Sequence, residues 1–281
     1  MKRKALFGFL FVINLFIFSV IVQAGELIKG MIPGDIYGEL IICAFPNKIV
    51  LDGNLNDQAW KYATWHLIEA KDGTVPAPDN KNASVKFAVT ADDKYIYFAA
   101  EITDSKVQKG EDTACNVYND DSIEAYIDGG NEKAGAYDIN DAQITIGADT
   151  IGADPDVKTT AALIGGCVGI TQGPKTETIA TGTQTKDGWN VEVAIPLKNA
   201  GWDIKPKNGL IIGFNVQYND DDNGGVRDYK LIWCKEEVKK GEGSWTNPGL
   251  FAELKFVQAA LAVDPKDKIA TKWAIIKAFG E

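Results

Sequence analysis

The sequence predicts an all-β fold, an antiparallel β-sandwich with a few short helices, and two observations carry that prediction. Short apolar runs, many with period two, recur between clusters of Gly, Asp, Asn and Pro, and long helical periodicity is almost absent. In Asp121-Ser122-Ile123-Glu124-Ala125-Tyr126-Ile127-Asp128 the alternation puts Ile123, Ala125 and Ile127 on one face and Ser122, Glu124 and Tyr126 on the other, the pattern of a half-buried strand.

The chain opens with Lys2-Arg3-Lys4 and an apolar run from Ala5 to Val22, and Val22-Gln23-Ala24 offers compact residues where a signal peptidase reads. Residues 1–24 therefore read as a secretory signal cut after Ala24, and the protein as secreted or held at the cell surface. The alternative is a retained anchor, since the run approaches the roughly 20 residues of a spanning helix. Residues 25–47 are Gly-rich and contain Pro with little period, so they read as a lead-in, a linker or edge arm. The sandwich is expected over residues 48–257.

Within it, Lys48 to Asp52 reads as a short strand turning at Gly53, and Asn56-Asp57 as the cap of a helical turn carrying Ala59, Trp60 and Ala63. Val85–Val89 and Tyr95–Ile102, joined through Ala91-Asp92-Asp93-Lys94, read as a hairpin. Further strands are expected over Ala142–Ile146, Glu177–Thr183, Trp189–Ile195, Leu210–Tyr218, Tyr229–Trp233 and Leu250–Phe256. Ala148 to Pro174, rich in Gly, Thr and Ala, is expected to be a long surface loop or an inserted hairpin. In residues 258–281, Ile269, Trp273 and Ile276 fall at helical spacing among Lys268, Lys272 and Lys277, giving a terminal helix that either packs on the sandwich or serves as a docking tail.

Loss of the signal removes three basic residues and no acidic ones, so the formal charge moves from −10 to −13. Such a surface is a poor partner for nucleic acid or an anionic membrane. It suits neutral polysaccharides and supplies carboxylates for calcium. Four cysteines, Cys43, Cys115, Cys167 and Cys234, lack metal-binding spacing and allow up to two disulfides in any of three pairings.

Catalytic signals are absent. The single His, His66, lies between Trp65 and Leu67 in an apolar setting, and no Gly-x-Ser-x-Gly elbow surrounds a candidate nucleophile. A haem held by a Met and a His would have to use Met31 and His66. Asn219-Asp220-Asp221-Asp222-Asn223-Gly224 places oxygen donors at alternate positions before a Gly, like the first half of a calcium loop, which makes Asp220 and Asp222 candidate ligands. Lys230 stands where an EF-hand needs a bidentate Glu, so the loop is either an irregular calcium site or a solvated Asx turn. Asp138, Asn140 and Asp141 form a second, weaker set.

Aromatic residues carry the sharper signal. Trp60, Trp65, Trp189 and Trp233 sit in helix or strand patterns and read as core. Trp245 sits among Gly243, Ser244, Thr246, Asn247 and Pro248, where no alternation buries it, and is either a ligand contact or loop packing. A pyranose presents an apolar C–H face to such a ring. Covering roughly 100 Å² at about 25 cal/mol per Å² gives ~2.5 kcal/mol per platform before ordering costs.

These pieces resemble carbohydrate-binding module family 9, whose β-sandwich modules are often attached to xylanases. The resemblance rests on Ile49 to Gly53 with Asn56 to Trp60, on Tyr95 to Phe98, Asp121 to Glu124, Asp141-Ala142-Gln143 and Trp189 to Pro196, and on Gly213 to Gln217 with Asn219-Asp220 and Ser244-Trp245. It implies a non-catalytic module that clamps a sugar between two aromatic rings, here Tyr118 and Trp245, with Glu124 matching a carboxylate that hydrogen-bonds the sugar. It also implies structural calcium, a plant-type polysaccharide such as xylan or cellulose as ligand, and a separate glycoside hydrolase as partner. Thr145, Gly147 and Glu242 stand where the family has a sugar-binding Arg and two Asn residues, so the platform is better kept than the polar readout. The rival readings are a surface-interaction scaffold that binds through its tail and a glycoside hydrolase accessory with its own activity, which would need two facing carboxylates in a cleft.

Overall fold

The structure, a computed structural model, describes residues 38–110, 114–156, 164–166 and 171–258. The expected signal segment, Cys167 and all but the first residue of the expected tail lie outside the described residues. The fold is mostly β. Fourteen strands are described: β1 Leu40–Phe45, β2 Trp65–Ile68, β3 Gly73–Val75, β4 Ala83–Ala91, β5 Tyr95–Asp104, β6 Ser122–Asp128, β7 Asp141–Gly147, β8 Ile164–Gly165, β9 Thr171–Gln172, β10 Ile179–Gln184, β11 Gly188–Pro196, β12 Ile211–Asp220, β13 Tyr229–Ile232 and β14 Ala252–Gln258. Two short helices, α1 Gln58–Tyr62 and α2 Lys235–Lys240, accompany them.

The strands form two antiparallel blocks. One runs β10-β11-β5-β4 with β2 beside part of β4; the other runs β14-β12-β6-β7-β8 with β13 beside the far end of β12. β1 joins them, parallel to β4 through Cys43↔Val89 and to β14 from Leu40↔Glu253 to Phe45↔Gln258. Beyond β7, Ile151 bridges to Gly182 of β10, so the hydrogen-bonded sheet curls nearly closed instead of dividing into two.

Within the segment read as a lead-in, Leu40–Phe45 form a strand of the sheet, while residues 25–37 lie outside the described residues. Ile41 and Cys43 are fully buried while Leu40, Ile42 and Ala44 are only partly so, a strand alternation that neighbouring Gly and Pro residues obscured. The expected strand at Lys48–Asp52 is not formed. That stretch lies against the outer face of the first block, where Ile49 packs with Trp60, Ala88, Tyr97 and Ala99. Glu192 clamps it, accepting from Trp60 Nε1 at 2.7 Å, Asp52 N at 2.8 Å and Gly53 N at 2.9 Å. Gly53 has φ +74°, and a Cβ there would meet the Gly182 backbone at 2.9 Å, so the turn requires glycine. Asp57 precedes α1 but does not cap it; its carboxylate accepts from Val50 N at 2.9 Å.

The main core lies between the blocks. Inward residues of β4, β5 and β11, such as Phe87, Phe98 and Val191, share one cluster with Ile123, Ile144, Phe214 and Val216 of the other block, and Phe98 meets Phe214 at 6.4 Å between ring centres. Trp60, Trp189 and Trp233 are buried, as their strand and helix settings predict, and Trp65 is half-buried. His66 stacks on Phe87 at 5.1 Å and meets the edge of Trp233 at 4.9 Å. Cys43 and Cys234 are free and buried, while Cys115 is disulfide-bonded.

Candidate functional site

The two faces of the β6–β7–β12 sheet divide apolar from polar residues. Registers Glu124↔Thr145, Tyr126↔Gln143, Glu124↔Gln217 and Tyr126↔Asn215 place these side chains together on the face turned away from the core. Glu124 is 2% exposed; its carboxylate accepts from Tyr126 Oη at 2.6 Å, Gln143 Nε2 at 3.0 Å and Thr145 Oγ1 at 3.1 Å. Those three bonds leave roughly one acceptor position of four. Burial, and the neighbouring Glu124, push the Tyr126 phenol well above its ordinary range, which keeps it a donor.

From Tyr126 the network continues to Trp245. Tyr126 Oη, whose proton goes to Glu124, lies 3.3 Å from Gln217 Oε1; Gln217 Nε2 donates to Glu237 Oε2 at 2.5 Å, and Asn215 Nδ2 donates to Ser244 Oγ at 2.8 Å. Ser244 also donates to Glu237, which Lys230 Nζ approaches at 3.3 Å. Trp245, the next residue, is 50% exposed. Its turn closes through Thr246 N to Gly243 O at 3.0 Å, and Tyr137 Oη donates to Ser244 O at 2.8 Å. The sequence left open whether this ring is covered; the turn holds it half in solvent.

Tyr118 lies in the 3₁₀ segment Ala114–Asn119, just before β6, and is half-buried. Arg227 sits 5.0 Å from its ring centre and donates through Nη1 to Tyr118 O at 3.4 Å, so one side of the ring carries a cation–π contact. A Cβ on Gly147 would meet Val117 Cγ1 at 3.1 Å, so the glycine admits the Tyr118 segment against β7. Thr145, in place of the family's Arg, serves Glu124, and the exposed Glu242 accepts from Asn247 Nδ2 at 3.2 Å.

Of the two candidate calcium ligands, Asp220 joins a cluster and Asp222 does not. Asp104 at the end of β5, Asp121 just before β6 and Asp220 at the end of β12 bring carboxylate oxygens within 4.8 Å of one another. Asp222 accepts instead from Asn82 Nδ2 at 2.9 Å. Asp220 is 1% exposed and neither of its carboxylate oxygens has a hydrogen-bond partner. Burial first, and Asp104 second, push Asp121 up to about 10 and Asp220 up to about 8. Buried, oxygen-only and lacking a neutralising partner at Asp220, this donor set fits a hard divalent cation such as calcium. Sequence reading missed Asp104 and Asp121 because the three lie far apart in the chain; their shared signal is an Asp at or beside a strand end. In the second set, Asp138 N donates to Asp141 Oδ2 at 2.8 Å, and burial raises Asp141 to about 7.

A family model described as carbohydrate family 9 binding domain-like matches residues 51–259. The chain belongs to this family. It is accordingly a binding domain and not an enzyme. It is 29% identical to the exoglucanase XynX of Acetivibrio thermocellus over 205 residues, which is 73% of this chain and 16% of that protein. It is 30% identical to endo-1,4-beta-xylanase A of Thermotoga maritima over 227 residues, 79% of this chain and 18% of that protein. The family 9 chain thus spans less than a fifth of these relatives' length. Among solved structures it shares the fold of a family 9 carbohydrate-binding module from Caldicellulosiruptor kristjanssonii, in complexes with cellotriose and with glucose. TM-scores are 0.60 and 0.61 at 22% identity, covering 81% of this chain and 98% or 100% of the other.

Proposed function

We propose that this family 9 protein is a secreted module, its two blocks serving as the layers of a sandwich, that holds a neutral sugar against the outer face of β6, β7 and β12. Tyr118 and Trp245 stack on the sugar, and Glu124 accepts from a hydroxyl while orienting Tyr126 and Gln143. The observation that carries this reading is the half-exposed Trp245, presented on a turn tied by Ser244 to the buried polar network that ends at Glu124. Such a ring beside fixed donors and acceptors suits a ligand with one apolar face and a polar rim. Cellotriose and glucose, present in the related structures, and xylo-oligosaccharides, suggested by the xylanase relatives, are the first ligands to try. Residues 1–24 would export the protein to where such polysaccharides lie. Any hydrolysis would come from a separate glycoside hydrolase, and calcium would be bound at Asp104, Asp121 and Asp220.

Calorimetric titration with cellotriose and xylotriose, on the wild type and Trp245→Ala, tests this. Binding in the wild type and its loss in the variant is the expected result. Binding indifferent to Trp245, or none to any glycan, would make the protein a surface-interaction scaffold.

A further inference from the structure

The acidic cluster and the Tyr118 platform are built from the same two stretches of chain. Tyr118 lies three residues before Asp121, and the turn of residues 221–228 that follows Asp220 carries Arg227, whose guanidinium lies 5.0 Å from the Tyr118 ring centre. Arg3 and Arg227 are the only arginines in the sequence, so the cation on this ring has no neighbouring substitute of its kind. The two stretches are fastened at the cluster. Asp121 accepts from Asp221 N at 2.7 Å and from Gln108 N at 2.5 Å, and Asp228 N donates to Asp220 O at 2.8 Å. Tyr218 Oη donates to Asp104 Oδ2 at 2.7 Å, which brings in the end of β5.

Among the described residues none of the three carboxylates takes part in an ion pair. A divalent cation would tie the three carboxylates, and with them the segments that carry Tyr118 and Arg227, to one point; without it, Asp220 offers two buried oxygens that nothing holds, and three like charges within 4.8 Å cannot all be kept. The Trp245 turn is fixed elsewhere, by Asn215, Glu237 and Ser244.

Resting on the sugar-binding reading, we infer that calcium held by Asp104, Asp121 and Asp220 is the positioning element of the Tyr118–Arg227 half of the site, so that calcium and sugar bind with positive linkage. Linkage is reciprocal: whatever factor calcium adds to sugar affinity, sugar adds to calcium affinity. Arg227 acts here by holding the ring to the turn that follows the metal site.

The test uses the full chain freed of metal by chelation. Cellotriose affinity is measured with and without calcium, calcium affinity with and without saturating cellotriose, and both sets are repeated on Arg227→Ala. The expected result is cellotriose binding about tenfold tighter with calcium, calcium binding tighter by the same factor with cellotriose, and in Arg227→Ala unchanged calcium affinity with the linkage cut below about threefold. Equal cellotriose affinity in both states, absence of calcium binding, or linkage of full size in Arg227→Ala overturns the inference; the last outcome would mean that calcium acts through global folding. If the calcium-loaded wild type binds neither cellotriose nor xylotriose, the sugar reading fails, and the linkage with it. Calcium titration then judges the metal site alone.

Discussion

Asn215 Nδ2 donates to Ser244 Oγ at 2.8 Å, which ties the turn bearing Trp245 to the middle of β12. Both residues are fully buried and both reach the Glu237 carboxylate, so the exposed ring inherits its position from groups that never meet solvent. Ser244→Ala deprives Asn215 and Glu237 of one partner, a cost of about 1–3 kcal/mol in stability. The freed indole must then be ordered by the ligand, at about 0.5–1.5 kcal/mol. Thermal melting should show the first effect, and calorimetry a cellotriose affinity about two- to tenfold weaker with Trp245 still present.

His66 makes the fold acid-sensitive. Burial lowers its pKa to about 4, and its Nε2 has no hydrogen-bond partner, so protonation is disfavoured in the folded chain and free in the unfolded one. The folded value lies below the unfolded value, so this contribution is present above about pH 6.5 and is lost as pH falls toward 4. The difference corresponds to about 3 kcal/mol at full protonation. Denaturant titrations across this window should show His66→Phe losing less stability than the wild type. Equal slopes in both proteins would remove His66 as the cause.

Short apolar runs between turn clusters made β4, β5, β6, β7, β11 and β12 legible, and alternation marked β6 although it is not half-buried: its polar face, Ser122, Glu124 and Tyr126, is enclosed as well. β1 escaped notice because it pairs in parallel with strands far away and lies between Gly- and Pro-containing stretches. The site was legible only in part. Trp245 stood out because no local pattern buries it, and Glu124 because it lies on the polar side of a clear strand. Glu237 and Arg227 come from helix and turn segments whose local sequence looks like ordinary surface; only the tertiary fold brings them to Ser244 and Tyr118. Asp222 looked as good a ligand as Asp220, since a strand ending between them sends the two carboxylates to different partners.

Cys43 and Cys234 should be unreactive until the protein unfolds. Cys43 is enclosed in the core and burial pushes its thiol well above its ordinary range; Cys234 donates to Leu250 O and is also raised, chiefly by burial. The thiolate is the reactive form, so both are protected by enclosure and by pKa. Alkylation followed by mass analysis should leave both positions unmodified in native buffer and modify both in denaturant. Rapid native labelling of either would mean that β1 or the start of α2 opens readily.

Asp220→Asn should change stability in opposite directions with and without calcium. In chelator the substitution removes the cost of burying an acid that has no hydrogen-bond partner, whether that cost is met by holding its charge or by taking up a proton, so the variant should melt above the wild type. With calcium at about a hundred times its dissociation constant the wild type gains about 2.7 kcal/mol, or roughly 5–10 °C for a domain of this size, and the variant, short of a ligand, gains little. The two melting temperatures should therefore cross as calcium is added. A merely structural Asp220, held by hydrogen bonds and not by an ion, would give a variant less stable in both conditions, since nothing would then favour the neutral side chain when calcium is absent.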